Sequence, residues 1–174
     1  MRLAADGWVV LESHKGFRVA PVSREELVDI TQLRCELEAM AIRMAIEKGD
    51  LRWEADIMAR HHEVSKIAIF KNNGALSEEW DSANDAFHRA LYAACGSPLL
   101  LLFCNLLRER FGRYRRLWPQ YGNPAIHTNK DHEDLVRAVI ARDIVTAVPL
   151  VHTHLSRVAN DILEHWSIPQ SEPG

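Results

Sequence analysis

The chain has 174 residues, of which 47% are apolar, and it carries a formal net charge of −3. This length and composition exclude a mostly disordered chain and indicate one domain with a hydrophobic core. The slightly acidic balance excludes a protein whose bulk binds nucleic acid through a general basic surface. Three widely spaced cysteines, without a CxxC pair, argue against a disulfide framework or a cysteine-rich zinc module.

The chain shows no feature that would direct it to a membrane. The N-terminus MRLAADGW has no apolar core of a signal peptide. No run approaches the roughly eighteen apolar residues of a transmembrane helix. The sequence therefore predicts a cytoplasmic protein, with a disordered tail over residues 169–174.

The first element in chain order is a predicted β-hairpin within GWVVLESHKGFRVAPVS, residues 7–23. Two short β-prone runs, Val9–Leu11 and Phe17–Val19, flank a turn at His14–Gly16. Such a hairpin is marginal in water by itself. It is expected to pack loosely at the front of a helical protein.

Six helices are predicted after Ser23. Their ranges are about 24–48, 51–70, 77–94, 98–118, 125–141 and 143–166. Ser23 with Glu26 forms a capping box, and Ser97 with Pro98 is typical of a helix start. The apolar run LLLLFCNLL of the fourth helix is expected to be core. The short connections favour antiparallel neighbours, so the predicted fold class is all-α, an antiparallel bundle of about six helices behind the hairpin.

Histidines on three of these helices form a candidate metal site. Asn84 and His88 are four residues apart, and therefore lie on one face of the third helix. His132 is in register with the apolar residues of the fifth helix, and His154 lies at the edge of the apolar stripe of the sixth. Three imidazoles and an amide oxygen suit a divalent transition metal, although the same residues could simply line a polar cavity.

Four stretches carry a resemblance to a known family. They are LAADGWVVLESHKGFRVAPVS, SREELVDITQLRCELEAMAIRMA, NDAFHRALYAACGSPLL and KDHEDLVRAVIARDIVTAVPLVHTHL. In this order they resemble the GntR superfamily of bacterial transcription regulators, FadR-type branch, with an FCD effector-binding domain. The first stretch resembles the wing of the winged helix-turn-helix, and the second contains the R-x-x-x-E pattern of Arg34 and Glu38.

The resemblance implies a site and a ligand. The family's metal ligands, Asp or Asn followed by three His, correspond to Asn84, His88, His132 and His154. Asp85 and, more remotely, Asp81 are rivals for the first position. The implied metal is Zn, Ni or Mn, and the implied effector is a small organic acid. Arg34 is the expected carboxylate-binding residue, against the alternative of a purely structural Arg34–Glu38 ion pair. Arg108 or Arg113 could also reach the cavity.

The resemblance also implies partners and domains. Residues 1–22 are expected to be a remnant of the winged helix-turn-helix, and residues 23–168 an effector-binding and dimerisation domain. Because the helices that read DNA precede the wing in this family, DNA binding is expected only in a longer form, and the protein is expected to be a homodimer. Lys15 and Arg18 in the wing could contact phosphates, which position a protein without reading sequence.

Two alternatives belong to other functional classes. A three-histidine metal could activate water in a hydrolase, but no Glu is placed as general base and no HExxH motif is present, so the chain is predicted not to be an enzyme. The chain could also be a stand-alone ligand-binding module without DNA function.

Overall fold

The computed structural model describes residues 9–12, 16–117, 125–164 and 166. Strands β1 (Val9–Glu12) and β2 (Gly16–Val19) form an antiparallel hairpin in which Val9 is paired with Val19. Six α-helices follow in the described part of the chain. They are α1 (Arg24–Lys48), α2 (Leu51–Lys66), α3 (Glu78–Tyr92), α4 (Pro98–Arg115), α5 (Ala125–Ile140) and α6 (Ile144–Glu164). The predicted all-α bundle behind a hairpin is confirmed.

The helices begin at or next to the residues that the sequence predicts. Ser23, Ser77 and Ser97 each accept a hydrogen bond from the backbone N–H three residues later, which satisfies one of the donors that a helix N-terminus leaves free. The predicted end of α2 at about residue 70 is wrong. The helix ends at Lys66 because Ile67 is extended, and Phe70 then forms an antiparallel bridge with Leu76.

Helix α1 lies at the centre of the bundle. It packs against α6, α4 and α3, while α2 packs on α3 and α5, and α5 packs on α6. The largest fully buried apolar side chains come from all six helices: Leu27, Ile42, Ile57, Trp80, Phe87, Leu91, Tyr92, Tyr114, Leu135 and Ile162. Each such side chain stabilises the fold by about 1.5–3 kcal/mol. Among the described residues, no helix is long and apolar enough to cross a membrane.

The apolar start of α4 is only partly core, in contrast to the prediction. Leu100 and Cys104 are buried, whereas Leu99, Leu102 and Phe103 are exposed. One face of the helix therefore packs into the bundle, and the opposite face presents large apolar side chains to solvent.

The segment between the hairpin and α1 is held by the C-terminal part of α4. The Ser23 N–H donates to the Tyr114 hydroxyl at 3.2 Å, and that hydroxyl donates to Glu26. Arg113 donates to the carbonyl oxygens of Ala20 and Pro21. The hairpin itself is exposed at Gly16, Phe17 and Arg18, as expected for an element outside the core.

Candidate metal and effector site

Three histidines from three helices meet in the interior of the bundle. His88 of α3, His132 of α5 and His154 of α6 are 2%, 1% and 6% exposed. Ligand-capable nitrogens of the three rings lie within 4.8 Å of one another. Helical periodicity placed each of these residues on an inward face, and the packing of α3, α5 and α6 brings the three faces together.

The distance between two of the rings fits a shared metal ion. His88 Nε2 and His154 Nε2 are 3.2 Å apart. Two nitrogens that are each about 2.1 Å from one ion, with an angle of about 90–109° between them, are about 3.0–3.4 Å apart. The two atoms therefore already stand at the separation of neighbouring ligands.

The third ring has polar atoms that nothing in the described part of the chain satisfies. Neither Nδ1 nor Nε2 of His132 has a hydrogen-bond partner there, and both are fully buried. Leaving a buried polar group unsatisfied costs about 1–3 kcal/mol, so native proteins rarely keep one without a reason. The imidazole donor set and these unpaired atoms together fit a divalent transition metal.

The environment keeps two of the rings neutral, which is the form that binds a metal. Burial lowers the pKa of His88 well below 6.5, and the positive charge of Arg108 lowers it further. Burial also lowers the pKa of His132 well below 6.5, with His154 and His61 as the next contributions. A metal therefore has little proton competition at these two rings near neutral pH.

The candidates for the oxygen ligand differ in their partners. Asn84 is buried and lines the same cavity as His88 and His154. The rival carboxylates are held by guanidinium groups: Asp81 accepts from Arg115 Nε at 2.5 Å, and Asp85 accepts from Arg115 Nη2 at 3.0 Å and from Arg108. Although burial alone would raise it, the pKa of Asp85 is lowered by Arg108 and Arg115.

A cavity lies beside the histidines and contains the arginine predicted to bind an effector. The space inside it is narrow, with room for about one water molecule. Its wall comprises Arg34, Trp80, Asn84, His88, Phe111, Arg115, Thr128, His154, Leu155 and Val158. Its wall thus combines polar and apolar side chains.

Arg34 also makes the structural ion pair that was its alternative role. Its Nε donates to Glu38 Oε1 at 2.8 Å, and its guanidinium lies 4.5 Å from the centre of the Phe111 ring. Both contacts hold the guanidinium at the cavity wall, because a charged hydrogen bond and a cation–π contact fix its plane. The two roles are therefore compatible.

The cavity wall contains an arginine of α4 that the sequence did not single out as a cavity residue. Arg115 lines the cavity, whereas Arg108 is buried against Asp85 and Arg113 binds the segment before α1. Consecutive positions spread the arginines around α4, and the packing of α3 distinguishes them. Of the two wing residues predicted to contact phosphate, Arg18 is exposed and Lys15 lies outside the described residues.

Comparisons with known proteins agree on one family. The FCD domain family model matches residues 29–157. The chain is 37% identical over 158 residues to the HTH-type transcriptional repressor GlaR of Escherichia coli, covering 88% of this chain and 72% of that protein. It is 31% identical over 155 residues to the uncharacterized HTH-type transcriptional regulator BphR of Paraburkholderia xenovorans, covering 88% of this chain and 63% of that protein.

Solved structures give the same answer. A GntR family transcriptional regulator from Pseudomonas syringae superposes with a TM-score of 0.67 at 26% identity, over 94% of this chain and 66% of that one. Escherichia coli McbR/YncC shares the fold, with a TM-score of 0.81 at 20% identity over 95% of this chain and 81% of that one. The chain belongs to the FCD-domain family of GntR-type transcriptional regulators.

Proposed function

We propose that this chain is the effector-binding and dimerisation part of a metabolite-responsive transcription regulator, and that it senses a small organic acid at a metal-containing cavity. The observation that carries the proposal is the meeting of three buried imidazoles beside a cavity lined by arginine. The effector-binding domain is assigned to residues 23–168, which include the 29–157 matched by the family model.

The metal is assigned to His88, His132 and His154, with Asn84 as the oxygen ligand. Zn, Ni or Mn suits this mixture of imidazole and amide oxygen. The bound metal would supply positive charge at the wall of the cavity. A neutral Asn adds no negative charge to the site, so more of the metal's positive charge is available to an anionic effector.

The effector is assigned to the class of small carboxylic acids. Arg34 presents a planar guanidinium at the cavity wall, and such a group binds a carboxylate through two parallel hydrogen bonds. Arg115 lies on the same wall. The apolar side of the cavity, which includes Phe111 and Leu155, would contact the carbon chain of the acid.

The test is the metal content of the purified protein, measured by elemental analysis. The parent protein is expected to retain a stoichiometric divalent metal, and His132→Ala and His154→Ala are expected to lose it. His127→Ala is the matched control, because His127 is exposed on the same helix as His132. Full metal content in both site variants would contradict the assignment.

The homodimer is assigned to the exposed apolar face of α1 and α4. Leu33 and Met40 of α1, together with Leu99, Leu102 and Phe103 of α4, are large, apolar and exposed. The two helices pack against each other. The exposed apolar residues of α4 lie on the side next to α1, because Arg110 of α4 pairs with Glu26 of α1. An exposed apolar patch of this kind is typical of an interface.

The charges beside the patch favour a second copy as its partner. Glu36 and Arg43 are on the side of α1 that borders Met40. A twofold axis that is perpendicular to α1 and passes near Met40 makes the two α1 helices antiparallel and places Glu36 of one copy near Arg43 of the other. Leu102→Glu is expected to give a monomer in light scattering, whereas the control Val145→Glu, exposed on α6, is expected to leave a dimer.

DNA binding is assigned only to a longer form of the protein. Two relatives are named as HTH-type regulators, and the chain spans 72% and 63% of their lengths. Within the hairpin, Lys15 and Arg18 would then act as phosphate contacts. A mobility-shift assay should show operator binding by the longer form and none by residues 1–174. Failure of the longer form to bind would favour a ligand-binding module without DNA function.

A further inference from the structure

Two carboxylates stand behind the candidate metal ligands. Glu38 Oε2 of α1 lies 3.8 Å from His88 Nδ1, and Asp131 Oδ2 of α5 lies 3.4 Å from His154 Nδ1. Both contacts involve the ring nitrogen opposite the Nε2 atoms, which are 3.2 Å from each other. Each histidine is thus placed between a carboxylate and the candidate metal position.

Each carboxylate is itself fixed by an arginine. Arg34 Nε donates to Glu38 Oε1 at 2.8 Å, and Arg157 Nη1 donates to both Asp131 oxygens at 2.6 and 2.5 Å. The two carboxylates come from different helices and use different arginines. The same arrangement therefore occurs independently on two sides of the site.

The Glu38 side contains two buried atoms that face each other. Glu38 Oε2 and His88 Nδ1 are both fully buried, and neither has a hydrogen-bond partner among the described residues. One is an acceptor and the other can donate. At 3.8 Å the pair is too long for a direct hydrogen bond, and a small closure or one bridging water would satisfy both atoms.

We propose that Glu38 and Asp131 are positioning residues for the metal site, which select the Nδ1–H form of His88 and His154. With Nδ1 carrying the proton, both Nε2 lone pairs point into the same space. The inference rests on the proposed metal-binding function, and it assigns Glu38 a role beyond its ion pair with Arg34.

This arrangement prepares the site for a cation. The two Nε2 atoms are 3.2 Å apart and would share a hydrogen bond if either carried a proton. With both protons on Nδ1 the two lone pairs face and repel each other, and a positive ion between them removes that repulsion. A carboxylate on the far nitrogen also makes the imidazole a stronger ligand, and losing such a partner commonly weakens metal affinity about 10- to 100-fold. Neither carboxylate needs to touch the ion for this effect.

The experiment measures Zn²⁺ affinity by competition with a chromophoric chelator. Glu38→Gln and Asp131→Asn keep the side-chain shape and remove the charge, and each is expected to bind Zn²⁺ about 10- to 100-fold more weakly than the parent. The control is Glu54→Gln, which removes a partly buried carboxylate paired with Arg142, and its affinity is expected to match the parent. Parent-like affinity in both site variants would overturn the inference.

Histidine ring ¹⁵N spectra of the unsubstituted protein give a second readout that does not depend on the variants folding. Nδ1 is expected to carry the proton in both His88 and His154, with and without Zn²⁺. A proton on Nε2 with a bare Nδ1 in either ring would overturn the inference. A parent protein that binds no Zn²⁺, Ni²⁺ or Mn²⁺ would contradict the proposed metal function, and the metal-free spectrum would still decide the role of the carboxylates.

Discussion

Polar groups are used in opposite ways at the candidate site and at the junction between α1 and α2. At the junction, Arg142 donates to the carbonyl oxygens of Ile46 and Gly49, pairs with Glu54 and lies over the Trp53 ring at 5.1 Å. We call this group the Arg142 clasp. At the candidate site, His132 and one side of Glu38 have no hydrogen-bond partner among the described residues.

The difference indicates what each region is for. Arg142 has a φ of 58°, a left-handed conformation that costs a non-glycine residue about 1–2 kcal/mol. The hydrogen bonds of the Arg142 clasp offset that cost by joining the α5–α6 connection to the end of α1. Polar groups that are paired within the protein stabilise the fold, whereas buried atoms that lack partners lower its stability until a ligand arrives.

The largest expected effect on stability is that of Arg142→Leu. The change removes three hydrogen-bonding contacts and leaves Glu54 without its partner, so the free energy of unfolding should fall by about 2–3 kcal/mol. Urea denaturation of the variant and the parent measures this difference in the free energy of unfolding. The control Arg137→Leu removes only surface ion pairs of α5 and should change stability by less than about 1 kcal/mol. Equal effects of the two changes would contradict the structural role of the clasp.

His132→Leu tests the other half of the comparison. Leu replaces a buried ring with unpaired nitrogens by an apolar side chain, so the stability of the metal-free protein should change by less than about 1.5 kcal/mol. The rise in melting temperature that Zn²⁺ gives the parent protein should disappear. His127→Leu, exposed on the same helix, should keep the Zn²⁺ response. A large loss of metal-free stability would mean that His132 belongs to the structure alone.

Local sequence rules predicted the starts of the helices and failed at the end of α2. The caps at Ser23 and Ser97 depend on residues within one turn, so the sequence alone identifies them. The end of α2 was missed because the apolar residues Ile67 and Phe70 continue the helical spacing from Val64. After the helix ends at Lys66, Phe70 pairs with Leu76. No local sequence pattern predicts this pairing.

The candidate site also has a part that the sequence predicts and a part that it does not. The inward faces of His88, His132 and His154 follow from helical periodicity, but periodicity gives no distances between helices. Glu38, Asp131 and Arg115 acquire their places only when α1, α5 and α4 pack together. The exposed residues of LLLLFCNLL were expected to be core because an apolar face that awaits a partner has the same pattern as one that is buried.

The smallest expected effect is that of Tyr114→Phe, at the contact between α4 and the start of α1. The hydroxyl accepts from the Ser23 N–H and donates to Glu26, so its loss should cost about 1 kcal/mol or less, because the ring stays buried and nearby arginines also contact Glu26. Hydrogen exchange at Ser23 should become faster while Zn²⁺ affinity stays unchanged. Because Phe111 and Arg115 of the same helix line the cavity, a change in Zn²⁺ affinity would instead mean that the site and the segment before α1 are coupled through α4.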